Sequence, residues 1–538
     1  MNHAIRLAAW SGWLAALACV NIAAAADDTM PHLRKQGTAV QLMVDGEPFL
    51  VIGGELHNSS SSSLEYMQPV WQRTVDLNFN TVLAGVSWEL VEPEEGHFDF
   101  SLVDGLIQGA RRNGLRLIFL WFGSWKNGMS SYIPLWVKKD FQRFPRVQLQ
   151  KQGTVEVLST LAEANWQADA KAFAVLMRHI RETDGGGHTV IMVQVENEVG
   201  VLRDSRDRSA AANAAFSSAV PKALMDYLKQ NREALAPEIR QRWEAAGFKQ
   251  SGSWPEVFGD GPQTDELFMA WNYARYVDHV AEAGKAQYGI PMYANTWLSG
   301  HGTPGEWPSG GPLPHVMDMW LAGAPHIDIL SPDIYAPDFE NWCQKYTQRG
   351  NPLFIPEMNR DGDGPRNVFF AIGQYSAIGT SPFAVDSLEN PKESRLAKSY
   401  QILREIAPLV LAAQGTGRMT GFLLDKQHEK VTREIGDYQL EISLDNIFGS
   451  QASSGYGLIV AVGPDEFVGA GSGFRVAFRP KTPGPPLVGI GAIDEGTYRD
   501  GKWIPGRRLN GDEDDQGQKW RFSPQGLNIE HCTVYRYQ

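Results

Sequence analysis

Short apolar runs alternate with amphipathic stretches over the first three quarters of the chain. Thr81 to Val86, Leu115 to Trp121 and Val190 to Val195 are almost wholly apolar, the signature of parallel strands covered on both faces. Between them, Leu64 to Leu77, Val103 to Asn113 and Trp166 to Thr183 repeat their apolar residues at helical spacing. Further strands are predicted at Pro291 to Thr296, Ile327 to Ile334, Leu353 to Ile355 and Pro382 to Val385. A helical insertion over Ala219 to Phe248 and a helix over Asp265 to Tyr288 lie in between. Counted from Phe49 to Gly54, this makes eight strands, the number that closes a (β/α)8 TIM barrel, an α/β fold of typically about 250 residues that tolerates such insertions. A doubly wound sheet fits less well, because no Gly-rich phosphate loop opens any of the helices. Just upstream, Val40 to Val44 and Phe49 to Ile52 flank Asp45-Gly46, a hairpin signal placed to close the bottom of a barrel.

Beyond about Leu411 the pattern changes. Phe422 to Leu424, Tyr438 to Ile442, Leu458 to Val462, Phe474 to Phe478 and Trp520 to Phe522 are short β-like runs between Gly, Asp and Pro turns, with no amphipathic helix. The predicted organisation is a catalytic barrel over 38–411 and a smaller C-terminal β-sandwich over 412–538. That second domain could bind polysaccharide, cover the barrel or mediate a homodimer. The Ser59 to Ser63 run reads as a loop.

Two of the apolar runs end abruptly in carboxylates: Ile191 to Val195 leads into Glu196-Asn197-Glu198, and Leu353 to Ile355 into Pro356-Glu357. In a parallel barrel, strand C-termini line the active site. Two acids delivered there suit glycosidic bond cleavage, where one protonates the leaving oxygen and the other attacks or stabilises the anomeric carbon. On a regular strand Gln194, Glu196 and Glu198 would share the lumen face and Asn197 would point away, unless an irregular strand end re-aims it. Glu196 could make an inward ion pair or meet a sugar hydroxyl. The net charge of −13 excludes a nucleic-acid partner as the natural reading and leaves a neutral oligosaccharide substrate. The 17 Trp suit both sugar platforms and core filling.

Residues 1–26 read as an export signal: Arg6, an apolar stretch from Leu7 to Val20, then Ala23 to Ala26 before Asp27. A periplasmic location follows as an expectation. Ala16-Leu17-Ala18-Cys19 loosely resembles a lipoprotein box, although Leu17 stands where a small residue is preferred. No later segment has the roughly 20 apolar residues of a membrane span. Cys343 and Cys532 are expected to be free and buried. No zinc or calcium motif is present in the sequence, so no cofactor is implied.

Gln194-Val195-Glu196-Asn197-Glu198 resembles the Asn-Glu acid/base motif of clan A glycoside hydrolases, closest to family 35 β-galactosidases, and Pro356-Glu357 resembles that clan's nucleophile motif. Gly53-Gly54-Glu55-Leu56-His57, Asn80-Thr81-Val82, Trp88, Glu92 to Gly96 and Phe98 to Phe100 extend the resemblance over roughly 40–411. Departures are Trp88-Glu89-Leu90-Val91-Glu92-Pro93, closer to family 42, and an eighth strand without the family's Asn-bearing tip. Trp121 to Gly128 is similar to a divergent bacterial branch with a C-terminal β-domain, which includes enzymes removing galactose from xyloglucan. The resemblance implies retaining double displacement, with Glu357 as nucleophile and Glu198 as acid/base. It also implies Asn197 on the sugar 2-hydroxyl and Tyr335 hydrogen-bonded to the nucleophile. Trp121, Trp125, Asn127, Asn295 and Trp297 sit at or past the third and fifth strand ends, as substrate-pocket candidates. Glu55 and His57 could bind hydroxyls, or form a buried ion pair and a core histidine. A β-glucosidase, an α-L-arabinopyranosidase and a non-catalytic sugar-binding protein are the competing readings.

Overall fold

The computed structural model describes residues 29–447 and 450–538; residues 1–26, where an export signal was expected, and with them Cys19, lie outside the described residues. Eight parallel strands close a barrel: β1 (Val51–Glu55), β2 (Thr81–Ser87), β3 (Arg116–Phe122), β4 (Val190–Val195), β5 (Met292–Trp297), β6 (Ile329–Ile334), β7 and β8 (Gly379–Thr380). Strand β7 comes in two pieces, Phe354–Ile355 and Glu357–Met358, because Pro356 has no N–H for the ladder. The first piece pairs with β8 and the second with β6, so the seam closes through the proline break.

Helices follow each strand on the outside: α1 (Leu64–Asp76), α2 (Ser101–Arg112), α3 (Glu163–Asp184), α4 (Pro262–Lys285), α5 (Met317–Gly323), α6 (Phe339–Tyr346), α7 (Gly364–Tyr375) and α8 (Arg395–Ala413). The insertion before α4 contains Ala210–Ser217, Lys222–Gln230 and Pro237–Ala245. Between β3 and α3 a hairpin, Arg146–Leu149 with Gly153–Leu158, was not legible as strand in the sequence.

The hairpin Ala39–Val44 and Glu47–Phe49 turns through Asp45 and Gly46, both at positive φ (54° and 81°), as a tight two-residue turn requires. Its Leu42 and Val44 join Leu83, Ile118, Leu120, Phe122, Tyr293 and Phe354 in one buried cluster, so the hairpin plugs the barrel floor. The same cluster fixes the strand parity: Leu120 and Phe122 face the lumen, and Trp121 faces the helices.

The eighth strand differs from the expected Pro382 to Val385. Regular pairing ends at Thr380, because Pro382 cannot donate and Ala384 turns left-handed (φ 60°) into a short 3-10 turn. Pro382 still contributes its carbonyl, which accepts the Glu55 N–H at 2.9 Å. The serine run is no loose loop either. Ser60 donates to Asp386 at 2.6 Å, Ser61 to the Gly85 carbonyl at 2.6 Å, and Ser63 caps α1.

After α8 come two antiparallel sheets of six and four strands. Phe422, Leu440, Ile442, Ile459, Phe467, Phe474, Trp520 and Phe522 form the core between them. This sandwich leans on the barrel through α7. A Cβ on Gly373 would come within 2.8 Å of the Gly421 Cα, so the helix and the first strand, Met419–Asp425, touch backbone to backbone. Cys343 and Cys532 are both free and buried, as expected. Among the described residues, no helix is long and apolar enough to cross a membrane.

Candidate active site

Four strands end in carboxylates at one mouth of the barrel: Glu55 closes β1, Glu198 follows β4, Asp333 lies in β6 and Glu357 opens the second piece of β7. One carboxylate oxygen from each of Glu198, Asp333 and Glu357 lies within 4.8 Å of the others. All four side chains are buried.

Regular backbone could not present them this way. Past Val195 the chain leaves the strand, and Glu196 (φ 62°) and Glu198 (φ 45°) both occupy the left-handed region, which costs roughly 1–2 kcal/mol for a residue with a Cβ. The twist breaks the expected alternation. Asn197 turns inward, with its Nδ2 3.4 Å from Glu357 Oε1, while Glu196 turns out towards α3. There Glu196 accepts the Trp125 N–H at 2.8 Å and pairs with Asp169. Burial pushes both acids of this pair up, and Glu196 well above the usual carboxylate range. Gly123 leaves room for them, since a Cβ there would lie 2.6 Å from Glu196 Oε1 and 2.8 Å from Asp169 Oδ1. The outcome for Glu196 is a carboxyl pair behind the site, neither an ion pair nor a sugar contact.

Glu198 is held from two directions. Its backbone N–H donates to Asn295 Oδ1 at 3.1 Å, and its carboxylate accepts a short bond from Asn127 Nδ2. The Asn295 amide also donates to Asp333 Oδ2 at 2.8 Å and lies 3.5 Å from Glu357 Oε1. Tyr335 donates its hydroxyl to Glu357 Oε2 at 3.0 Å. Burial, and then repulsion from Glu357, raises the Glu198 carboxyl to about 7; Lys126 and the neighbouring Asp333 and Asn127 side chains oppose the rise. Glu55 and Asp333 are pushed well above the carboxylate range, first by burial and then by Glu357.

Lys126, just beyond β3, is the cation of the site. Burial pulls it down, but Glu357, Glu198, Glu55 and Asp333 together hold it above its ordinary value. Its ammonium also sits 5.4 Å from the centre of the Phe122 ring. Neither Lys126 nor Asp333 was singled out from the sequence. Asp333 was partly legible there, because the apolar run at Ile329 leads, through Ser331 and Pro332, into a carboxylate. Lys126 carried no comparable signal.

The other sequence candidates divide. Glu55 faces this cluster and, among the described residues, has neither a hydrogen bond to its carboxylate oxygens nor an ion pair, so it is not the buried ion pair considered above. His57 is not a core histidine. Its side chain is 46 % exposed, and its Nδ1 lies 2.9 Å from Asp386 Oδ1. Trp297 and Tyr335, each 44 % exposed, are open aromatic faces at the ends of β5 and β6. Trp121 and Trp125 are corrections. Trp121 is fully buried in the helix layer against Phe173, with its Nε1 on Asp169 at 2.9 Å. Trp125 is fully buried edge-on to Tyr273 and Tyr276 of α4. Neither indole can meet a sugar.

Among the described residues, two groups are close enough to share a cation: Glu198, Asp333 and Glu357, and separately Asp278, Glu282 and His326. In the first, burial drives Glu198 and Asp333 towards their protonated forms and Lys126 already supplies positive charge. That set suits proton transfer better than an oxygen cage for a metal.

Residues 396–521 match the model of a domain of unknown function (DUF5597), and residues 41–247 match that of glycosyl hydrolases family 35. A curated relative, "Beta-galactosidase" of Xanthomonas manihotis, is 30% identical over 204 residues, 37% of this chain. The chain spans about a third of that relative's length, 31%. Among solved structures, the β-galactosidase from Bacillus circulans sp. alkalophilus aligns at TM-score 0.46 and 13% identity, covering 68% of this chain and 57% of that one. The catalytic domain of β-amylase from Paenibacillus polymyxa aligns at TM-score 0.44 and 13% identity, covering 64% and 94% respectively. Residues 41–247, which carry Glu55, Lys126, Asn127, Asn197 and Glu198, are thus the part of the chain that is similar to glycosyl hydrolases family 35.

Proposed function

We propose that the protein is a retaining exo-β-galactosidase that releases terminal β-galactose from plant-derived oligosaccharides, xyloglucan side chains among them, in the periplasm. The observation that supports the mechanism is that one carboxylate oxygen of Glu198 lies within 4.8 Å of one of Glu357. Direct attack on the sugar needs carboxyl groups only about 5–5.5 Å apart, whereas an inverting pair stands about 6.5–9.5 Å apart to admit a water. Glu357 attacks the anomeric carbon as Glu198 protonates the leaving oxygen. Water then enters, gives its proton to Glu198 and displaces Glu357. The galactose assignment rests on the family and on the name of the Xanthomonas manihotis relative.

A panel of nitrophenyl β-galactoside, β-glucoside and α-L-arabinopyranoside tests the sugar, and galactosylated xyloglucan oligosaccharides test the natural context. The galactoside is expected to turn over fastest, with β-galactose as the first product by NMR. Faster glucoside cleavage would overturn the sugar, and α-galactose as first product the mechanism.

Tyr335→Phe removes the hydroxyl that donates to Glu357 Oε2. A charge-assisted bond of this kind contributes about 1.5–3 kcal/mol, so kcat/KM is expected to fall by about 10- to 100-fold with the fold intact. A loss under threefold would show that Tyr335 does not steer the nucleophile.

A further inference from the structure

We propose that Asp333 is a positioning residue that stays protonated through the catalytic cycle and donates a hydrogen bond to Glu198 whenever Glu198 is ionised. The inference rests on the double-displacement reading above and adds a group that reading does not use.

The two oxygens of Asp333 meet different surroundings. Oδ2 accepts the Asn295 amide at 2.8 Å, while Oδ1 is buried with no hydrogen-bond partner. The carboxyl lies among those of Glu198 and Glu357, one oxygen of each within 4.8 Å, and within hydrogen-bonding reach of Glu198. Among the described residues, no ion pair anchors it. The charged and titratable groups around it are Glu198 past β4, Glu357 and Tyr335 at the β7 and β6 tips, Glu55 on β1, Lys126, Tyr293 on β5 and Tyr346 on α6. An unpaired carboxylate in such company is costly, and a carboxylic acid is not. Burial and the three neighbouring acids keep the proton on Asp333.

That proton has an acceptor only part of the time. In glycosylation the Glu198 O–H bond breaks, its proton goes to the leaving oxygen, and the C1–O bond to the aglycone gives way to one with Glu357. Glu198 is then a buried anion whose side-chain donor is Asn127. An Asp333 O–H turned towards it supplies a second donor and stabilises the carboxylate that must act as base. In deglycosylation water gives its proton to Glu198 and its oxygen to C1, and Glu357 departs. The Asp333 O–H bond breaks in neither step.

Asp333→Asn and Asp333→Ala separate this from a merely structural role. An asparagine can still accept from Asn295 and donate an N–H to Glu198; an alanine can do neither. With dinitrophenyl β-galactoside, whose good leaving group makes deglycosylation limiting, D333N is expected to lose about threefold in kcat and D333A roughly 50- to 100-fold. The basic limb of kcat/KM should rise by about one pH unit in D333A and by much less in D333N, since the donor it loses favours ionised Glu198. D333N as slow as D333A, or a limb that stays in place in D333A, overturns the inference. Should D333A fail to show the wild-type melting transition, D333N alone decides: a loss within about fivefold supports the proton, and a loss near a hundredfold refutes it. Wild-type protein that turns over no aryl glycoside would instead sink the glycosidase reading itself.

Discussion

Glu357→Ala is expected to lower turnover of nitrophenyl β-galactoside by roughly 10⁴-fold or more while galactose binding survives. The prediction follows from what surrounds the side chain. Glu357 takes the Tyr335 hydroxyl at 3.0 Å on Oε2, and Asn197 and Asn295 approach Oε1 at 3.4 and 3.5 Å. These donors hold the carboxylate oriented towards the pocket but cannot themselves form a bond to carbon. Removing the carboxylate leaves Glu198 with nothing to trap the oxocarbenium-like centre. The space vacated can admit a small anion. Added azide should therefore attack from the face Glu357 used, restore part of the turnover and give α-galactosyl azide. Calorimetry with galactose checks that binding persists. Turnover within tenfold of wild type, or a β-azide product, would falsify the assignment of Glu357 as nucleophile.

The barrel was legible because its strands are buried on both faces and read as apolar runs whichever way each residue points. The same property hid the parity. Trp121 stands one residue before the end of β3, but Phe122 takes the lumen, so the indole goes to the helices. The carboxylates were legible because an apolar run that stops at a buried acid is costly unless the acid has work to do. Asp333 carried a weaker form of this mark, since Ile334 and Tyr335 continue past it and Ser331 and Pro332 interrupt the run before it. The re-aiming of Asn197 could be anticipated only as a condition, since sequence does not announce two left-handed glutamates in three residues. In the sandwich, runs with large apolar residues were found. Strands such as Glu466–Ser472 and Leu487–Arg499 were not, because glycines and charges blur their alternation. Gly469 shows why small residues are there: a Cβ would lie 2.7 Å from the Trp520 ring.

Glu198→Gln is expected to separate the two halves of the reaction. For substrates with poor leaving groups, such as alkyl galactosides, loss of the acid should cost about 10²- to 10⁴-fold in kcat/KM, and for dinitrophenyl β-galactoside far less, because that leaving group departs unprotonated. The pH profile follows from the site's charges. Glu198 is raised to about 7 by burial and by Glu357, so wild-type kcat/KM should fall above about pH 7 as the acid form is lost, and E198Q should lack that limb. Glycosylation of Glu357 removes its negative charge, so Glu198 drops and becomes the base the second step needs. Stability runs the opposite way to acidity. A carboxyl whose value is higher folded than unfolded favours the native state most below its unfolded value, and that contribution disappears as pH rises through about 7. E198Q should accordingly melt about 2 °C above wild type at pH 8, with a smaller gap at pH 4.5. If E198Q loses alkyl and dinitrophenyl galactosides equally and keeps the limb near pH 7, Glu198 is not the proton donor, and another buried acid of the four must be.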